Sequence, residues 1–225
     1  MQYKNVKVIG TSHIARESVK EVEKIILEEK PDIVALELDK NRLRALLEKK
    51  KGAKISFMDI RKIGVKGFLF ALIGAWIEKK LGEKVGVSPG AEMISAFKAA
   101  RKIESQVALI DQDIEVTLKR FSQELSWKEK WNFVVDLVQG MFGKGVIKFD
   151  ITKVPDVALI QKLLKEVKDR YPNVYKTLVQ ERNVYMAKKL ASLAQLYEDK
   201  KILAVVGAGH EEDMILLVKK YINSA

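Results

Sequence analysis

Apolar residues recur along this chain with two periods, and the switches between them outline a fold. Residues 3 to 9 form a short β-rich run, in which Val6-Lys7-Val8-Ile9 leads into Gly10. Val19, Val22, Ile25 and Ile26 then follow at helical spacing and predict a helix from about Arg16 to Glu29, with one face on a sheet. Pro31 closes the connection to Ile33-Val34-Ala35-Leu36-Glu37-Leu38. That near-continuous apolar run is expected of a strand buried on both faces, as parallel strands are. Strand, helix and strand in this order make a βαβ unit, whose crossover is right-handed.

Further on, the pattern predicts a helix over about 41–51, a weaker strand near Lys54 to Met58, and an apolar block, Gly67 to Ile77, that is too short to span a bilayer. Ser88-Pro89 reads as an N-cap and first-turn proline opening a helix to about Glu104. Val107 to Ile110 is another buried strand, ending in Asp111-Gln112-Asp113. From about 114 to 198 the pattern is almost wholly helical. Ser126-Trp127-Lys128-Glu129 is a capping box, and the apolar face after it, from Trp131 to Met141, predicts that Trp127 and Trp131 join Trp76 in the core. The alternatives for these aromatics are a substrate groove, a dimer face or a membrane-surface patch. Pro155 and Pro172 mark two more helix starts, the last helix running from about Asn173 to Glu198. A strand over 202–206 and an amphipathic helix from about Glu211 to Ile222 close the chain. The expected fold class is α/β: a largely parallel central sheet flanked by helices, in one domain over 1–225 with helical insertions at about 61–87 and 114–198.

Composition narrows the chemistry. With 48% hydrophobic and 32% charged residues the chain reads as a globular protein, and a cytoplasmic setting is expected, as no apolar run approaches the roughly 20 residues of a membrane-spanning helix. The absence of cysteine excludes thiolate nucleophiles and cysteine metal sites, leaving His, Asp and Glu as ligands. A net charge of +11 raises the question of nucleic acid, but the lysines alternate with glutamates along helices and no recognised binding module is visible, so no nucleic-acid partner is expected.

The chain holds two histidines, and both end the same motif: Gly10-Thr11-Ser12-His13 after the first strand and Gly207-Ala208-Gly209-His210 after the last. Ligands bind open parallel sheets beyond the carboxyl ends of the strands. His13, Glu37, Asp111, Asp113 and His210 all fall at or just past such an end, and an imidazole there can ligate a metal or move a proton. Glu37 is an ionisable residue in an apolar strand, which demands a cation, a metal or water as its neighbour. Asp39, one alternation further, is as suited to capping the next helix as to catalysis. Arg182 lies in the inward stripe set by Leu178, Met186, Leu190 and Leu193, and so needs an anionic partner, with Glu37 or a substrate oxyanion as candidates. Asn183 lies beside it. Glu92 opens a helix whose Ala96, Ala99 and Ile103 continue its face, and is either inward-pointing or a first-turn complement to the helix dipole.

In their order along the chain, Gly10-Thr11-Ser12-His13, Ala35-Leu36-Glu37-Leu38-Asp39 with Arg42, Pro89-Gly90-Ala91-Glu92-Met93, Ile110-Asp111-Gln112-Asp113, Glu181-Arg182-Asn183 and Gly207-Ala208-Gly209-His210 resemble the TraB/PrgY family. That family is related to the Tiki proteins and, more distantly, to ChaN-like and erythromycin-esterase-like proteins. The resemblance implies a metal-dependent hydrolase: Tiki members are proteases needing manganese or cobalt, and TraB/PrgY members shut down peptide pheromones. It places the family's active-site residues at His13, His210 and Glu37, with Arg182 as its arginine. A divalent ion (Mn, Co or Zn) at His13, His210 and Glu37 would activate water toward a peptide or protein substrate, with Arg182 at the oxyanion and Glu37 as ligand or general base. Glu92, Asp111 and Asn183 are candidates for substrate contact. The competing readings are a peptide-binding or sequestering protein without catalysis, and a metal-free hydrolase using a histidine base. Relatives often continue into hydrophobic segments, so membrane association of a longer protein is one expectation, and a homodimer another.

Overall fold

The computed structural model describes residues 1–11, 16–48, 90–141 and 157–224. Among these residues five strands form one sheet, ordered β1-β2-β5-β3-β4: Gln2–Tyr3 (β1), Val6–Thr11 (β2), Ile33–Leu36 (β3), Gln106–Leu109 (β4) and Ile202–Gly207 (β5). β2, β5, β3 and β4 are mutually parallel, and β1 pairs antiparallel with β2. The α/β class with a mainly parallel sheet is therefore correct. The short antiparallel β1 is an addition, since two residues carry no periodic signal.

The last strand lies in the middle, between β2 and β3, and its flanks explain the sequence pattern. β5 is buried along its whole length. On one face, Val6, Val8, Ile33, Ala35, Ile202, Ala204 and Val206 pack against Met186, Ala187 and Leu190 of helix α8 (Glu181–Leu196) and against Met214, Val218 and Ile222 of α9 (Glu211–Asn223). On the other, Val34, Leu36, Leu203 and Val205 meet Val22 and Ile26 of α1 (Arg16–Glu29) and Met93, Ala96, Ala99 and Ala100 of α3 (Ala91–Lys102). Alternate residues of one strand thus feed two cores, which is why β3 and β5 read as unbroken apolar runs.

Helix ends follow local chemistry. Asp39 caps α2 (Lys40–Leu47), its Oδ1 accepting from the Asn41 and Arg42 amides at 2.7 and 3.0 Å. α3 starts at Ala91 rather than near Ser88, because Gly90 takes the N-cap with φ 80°, and a β-carbon there would lie 3.1 Å from a Leu46 methyl. Ser88 and Pro89 lie outside the described residues, as do the expected strand near 54–58, the apolar block 67–77 with Trp76, the insertion 61–87 and the Pro155 helix start.

In the helical region, α4 (Ile114–Glu124), α5 (Trp127–Met141), α6 (Val157–Arg170) and a short α7 (Pro172–Tyr175) precede a π-helical turn, Lys176–Gln180, that runs straight into α8. The capping box is present: the Glu129 amide donates to Ser126 Oγ, and Glu129 Oε2 accepts from the Ser126 amide. The expectation that Trp127 and Trp131 are core fails, as they are 83% and 69% exposed. α5 turns Glu129, Asn132 and Asp136, at helical spacing, toward Asn173, the Arg170 carbonyl, and Arg170 with Tyr171, with Glu129 buried and the other two half-buried. These groups meet the end of one helix and the start of another, where backbone groups need partners. No helix among the described residues is long and apolar enough to cross a membrane.

Candidate active site at the carboxyl edge of the sheet

The strands in which the two Gly-x-x-His motifs begin, β2 and β5, are adjacent. Thr11 pairs with Gly207 in parallel register, and the Ala208 amide donates to the Thr11 carbonyl at 2.9 Å. Gly10 makes this closeness possible through its size: a β-carbon on it would stand 2.4 Å from Glu211 Oε2, a side-chain end that can move, and 3.1 Å from both Ala208 Cα and Glu211 Cβ. The first motif thus needs glycine so that the second can pass over it. His13 itself lies outside the described residues.

Glu37 follows the last residue of β3, and its amide donates to the Val205 carbonyl, so its side chain is delivered toward the centre of the edge. It is buried, at 4% exposure. Glu37 Oε2 accepts from the Gly207 amide at 2.6 Å, which ties it to the start of the second motif. Glu37 Oε1 accepts from Arg182 Nη2 at 2.6 Å and stands 3.4 Å from His210 Nε2. The Gly207-to-His210 turn is closed by the His210 amide donating to the Gly207 carbonyl at 2.8 Å, which seats His210 as the N-cap of α9.

Arg182 is the expected inward arginine, and its partners are now explicit. Besides Glu37, it forks onto Asp111, with Nε to Oδ1 at 3.1 Å and Nη2 to Oδ2 at 2.8 Å, and Nη1 donates to the Leu178 carbonyl at 3.2 Å. Burial disfavours its charge, but the neighbouring charge of Glu37 and the hydrogen bonds and charge of Asp111 more than offset that, and the guanidinium is held above its ordinary value. Asp111 also accepts from Arg42 Nη1 at 3.2 Å, so the two buried carboxylates face two guanidinium groups.

Asn183, the next residue of α8, is 1% exposed and turns to the other side of Glu37. Its Oδ1 is 2.5 Å from His210 Nδ1, and its Nδ2 donates to Asp213 Oδ2 at 3.1 Å. One turn of α8 therefore holds both members of the Glu37–His210 pair, by Arg182 on the carboxylate and Asn183 on the imidazole. Asp213 is the residue that sequence reasoning missed; its signal was its position three residues after His210, on the same helix face.

The remaining candidates fall around this centre. Asp113 caps α4, accepting from the Glu115 amide at 2.8 Å, and receives Asn41 Nδ2 at 3.1 Å. Glu92 is buried, and it lies in the first turn of α3, where a carboxylate also complements the helix dipole. Asp39 Oδ2 is buried without a hydrogen-bond partner among the described residues.

As ligands for a cation, no group of three His, Cys, Asp or Glu side chains converges among the described residues. Two donors do stand at the spacing of neighbours on one ion. Bonds of about 2.0–2.1 Å at a tetrahedral angle separate two ligand atoms by roughly 3.4 Å, and His210 Nε2 and Glu37 Oε1 are 3.4 Å apart. An imidazole nitrogen and a carboxylate oxygen also suit manganese, cobalt or zinc.

An uncharacterised protein of Methanocaldococcus jannaschii is 36% identical over 229 residues, covering 97% of this chain and 54% of the relative. TraB domain-containing proteins of Bos taurus and Homo sapiens are 29% and 27% identical, each over 91% of this chain and 60% of their own length. The chain thus spans little more than half the length of these curated relatives. A family model described as TraB/PrgY/gumN matches residues 3–212, which reaches from β1 to the first turn of α9 and takes in both Gly-x-x-His motifs, and the chain belongs to the TraB/PrgY/gumN family.

Proposed function

We propose that this domain is a metal-dependent hydrolase acting on a peptide or protein substrate in the cytosol. The observation that carries this reading is the pair Glu37 Oε1 and His210 Nε2, 3.4 Å apart at the carboxyl edge of a parallel sheet. His210 and Glu37 would hold the ion together with His13, whose strand ends beside that of His210. A divalent ion there lowers the pKa of a bound water and polarises the scissile carbonyl.

The chain's own residues supply the rest. Asn183 fixes the His210 ring from behind, leaving Nε2 toward Glu37. The Gly207 amide and Arg182 hold the carboxylate of Glu37 in one orientation, so that it either ligates or, through Oε1, takes a proton from water. Arg182 keeps positive charge at the spot where an oxyanion would form. Leu178, Glu37 and Asp111 already take four of its hydrogen bonds, so an oxyanion reaches it through the remaining Nη1 hydrogen or by displacing a carboxylate.

The test is the metal content of the purified protein with peptide cleavage by wild type, His13→Ala and His210→Ala. Bound Mn, Co or Zn and cleavage lost in both variants is expected. Cleavage that survives chelation and both substitutions contradicts the reading, and peptide binding without turnover in metal-loaded protein replaces it with a sequestering role. Glu37→Gln separates the two roles of that residue, because a ligand's loss weakens metal retention whereas a base's loss spares it.

A further inference from the structure

The geometry points to Asp213 as a positioning residue that sets the protonation pattern of the His210 ring through Asn183. This deepens the proposed reading of His210 as a ligand or base, and it rests on that reading only for its consequence, not for its geometry.

An ionised carboxylate only accepts hydrogen bonds, so Asp213 Oδ2, 3.1 Å from Asn183 Nδ2, admits one orientation of the Asn183 amide. With Nδ2 turned to Asp213, Oδ1 is the atom left for the imidazole, and it lies 2.5 Å from His210 Nδ1. A carbonyl oxygen cannot donate, so Nδ1 must carry the proton. The lone pair of the neutral ring is then on Nε2, aimed at Glu37 Oε1 at 3.4 Å. Glu37 Oε1 already accepts from Arg182 Nη2 at 2.6 Å, and an ion shared with it would meet the ring's lone pair at Nε2. Asp213 thereby makes Nε2 the nitrogen that carries that lone pair, as carboxylate and amide partners do for metal-binding histidines.

The chain is built to make this contact. Asn183 is buried, whereas Asp213 is exposed on the first turn of α9, so the carboxylate is not there to fill the core. Glu211 and Glu212 also lie in that turn and serve the helix dipole equally well, so a dipole role is shared by all three acids while the Asn183 contact belongs to Asp213 alone.

The experiment reads the tautomer directly. In metal-stripped full-length protein with nitrogen-15 histidine, at a pH where the ring is neutral, two-bond proton–nitrogen spectra distinguish Nδ1–H from Nε2–H, and a His13→Ala sample assigns the His210 signals. Wild type is expected to show Nδ1–H, Glu212→Gln to leave it unchanged, and Asp213→Leu to shift it toward Nε2–H. The exchange variant Asn183→Asp with Asp213→Asn restores an acceptor toward the ring and a donor behind it, and is expected to return Nδ1–H. Zinc affinity should fall about 10- to 100-fold in Asp213→Leu and recover in the exchange variant. An Nε2–H ring in wild type, or a ring unmoved by Asp213→Leu, overturns the inference. If no variant binds metal, the hydrolase reading fails while the tautomer spectra still decide the role of Asp213.

Discussion

Arg182 donates from one nitrogen, Nη2, to Glu37 at 2.6 Å and to Asp111 at 2.8 Å, and so ties the ends of β3 and β4 to α8. Only 17% of its side chain is exposed, against 5% and 2% for the two carboxylates. Removing the guanidinium takes the shared cation from two buried carboxylates and leaves Asp111 with Arg42. Arg182→Met is expected to cost about 3–5 kcal/mol in urea unfolding, with Arg182→Lys losing less because the charge stays while the fork is lost. A cost below about 1 kcal/mol would show that the clamp does not hold the edge together.

Gly10 sets how closely the two histidine motifs approach. Gly10→Ala puts a methyl 3.1 Å from the Ala208 backbone, where the turn must yield. A loss of about 1–3 kcal/mol is expected from overpacking, and, if the domain is the proposed hydrolase, cleavage is expected to fall further than stability because the motifs are pushed apart. Thermal melts beside cleavage rates measure the two effects, and an unchanged rate would separate the motifs' spacing from function.

Glu129 serves two helices at once, completing the capping box of α5 and accepting from the Asn173 amide at 2.7 Å and Val174 amide at 3.3 Å at the start of the next helical segment. Burial disfavours its charge, but hydrogen bonds from Ser126 and Asn173 outweigh that and hold its carboxyl below the ordinary 4.5. Its folded value is depressed, so its stabilisation is complete above pH 4.5 and fades as pH falls through the lower folded value. Glu129→Gln is expected to cost about 1–2 kcal/mol at pH 7 and to flatten the acid limb of the stability curve. An acid limb as steep as wild type would assign the loss elsewhere.

Tyr171 predicts the alkaline side. Burial, with the hydrogen bond to Asp136 added, pushes its hydroxyl from 10.0 up to about 12. The folded value is raised, so its contribution is whole below pH 10 and lost as pH climbs toward 12. Ultraviolet titration of wild type against Tyr171→Phe should remove one late-titrating phenol. A phenol missing from the ordinary range instead would contradict the assignment.

The strands and the site differ in how far the sequence announces them. β3 and β5 stand out because burial on both faces leaves no polar position, and Glu37 stands out against that background as the one charge in the run. Arg182 was visible as a polar break in an apolar stripe, and the structure supplies Glu37 and Asp111 as its partners. Trp127 and Trp131 misled because α5 is apolar on more than one side, and the side that packs carries Glu129, Phe133 and Asp136 beside Val167 and Tyr171 while both tryptophans are exposed. Asp213 was hidden because an acid in a first helical turn is ordinary, and its contact with Asn183 crosses between two helices. The central place of β5, last in sequence and middle in the sheet, also lies beyond local pattern, since strand order is set by crossovers and not by composition.

The most direct measurement is diffraction from crystals grown with manganese or cobalt, recorded at the metal's absorption edge. The account predicts one anomalous peak at the carboxyl edge, about 2.0–2.2 Å from a nitrogen of His13, from His210 Nε2 and from an oxygen of Glu37. A peak elsewhere, or two imidazoles too far apart to share an ion, would contradict it.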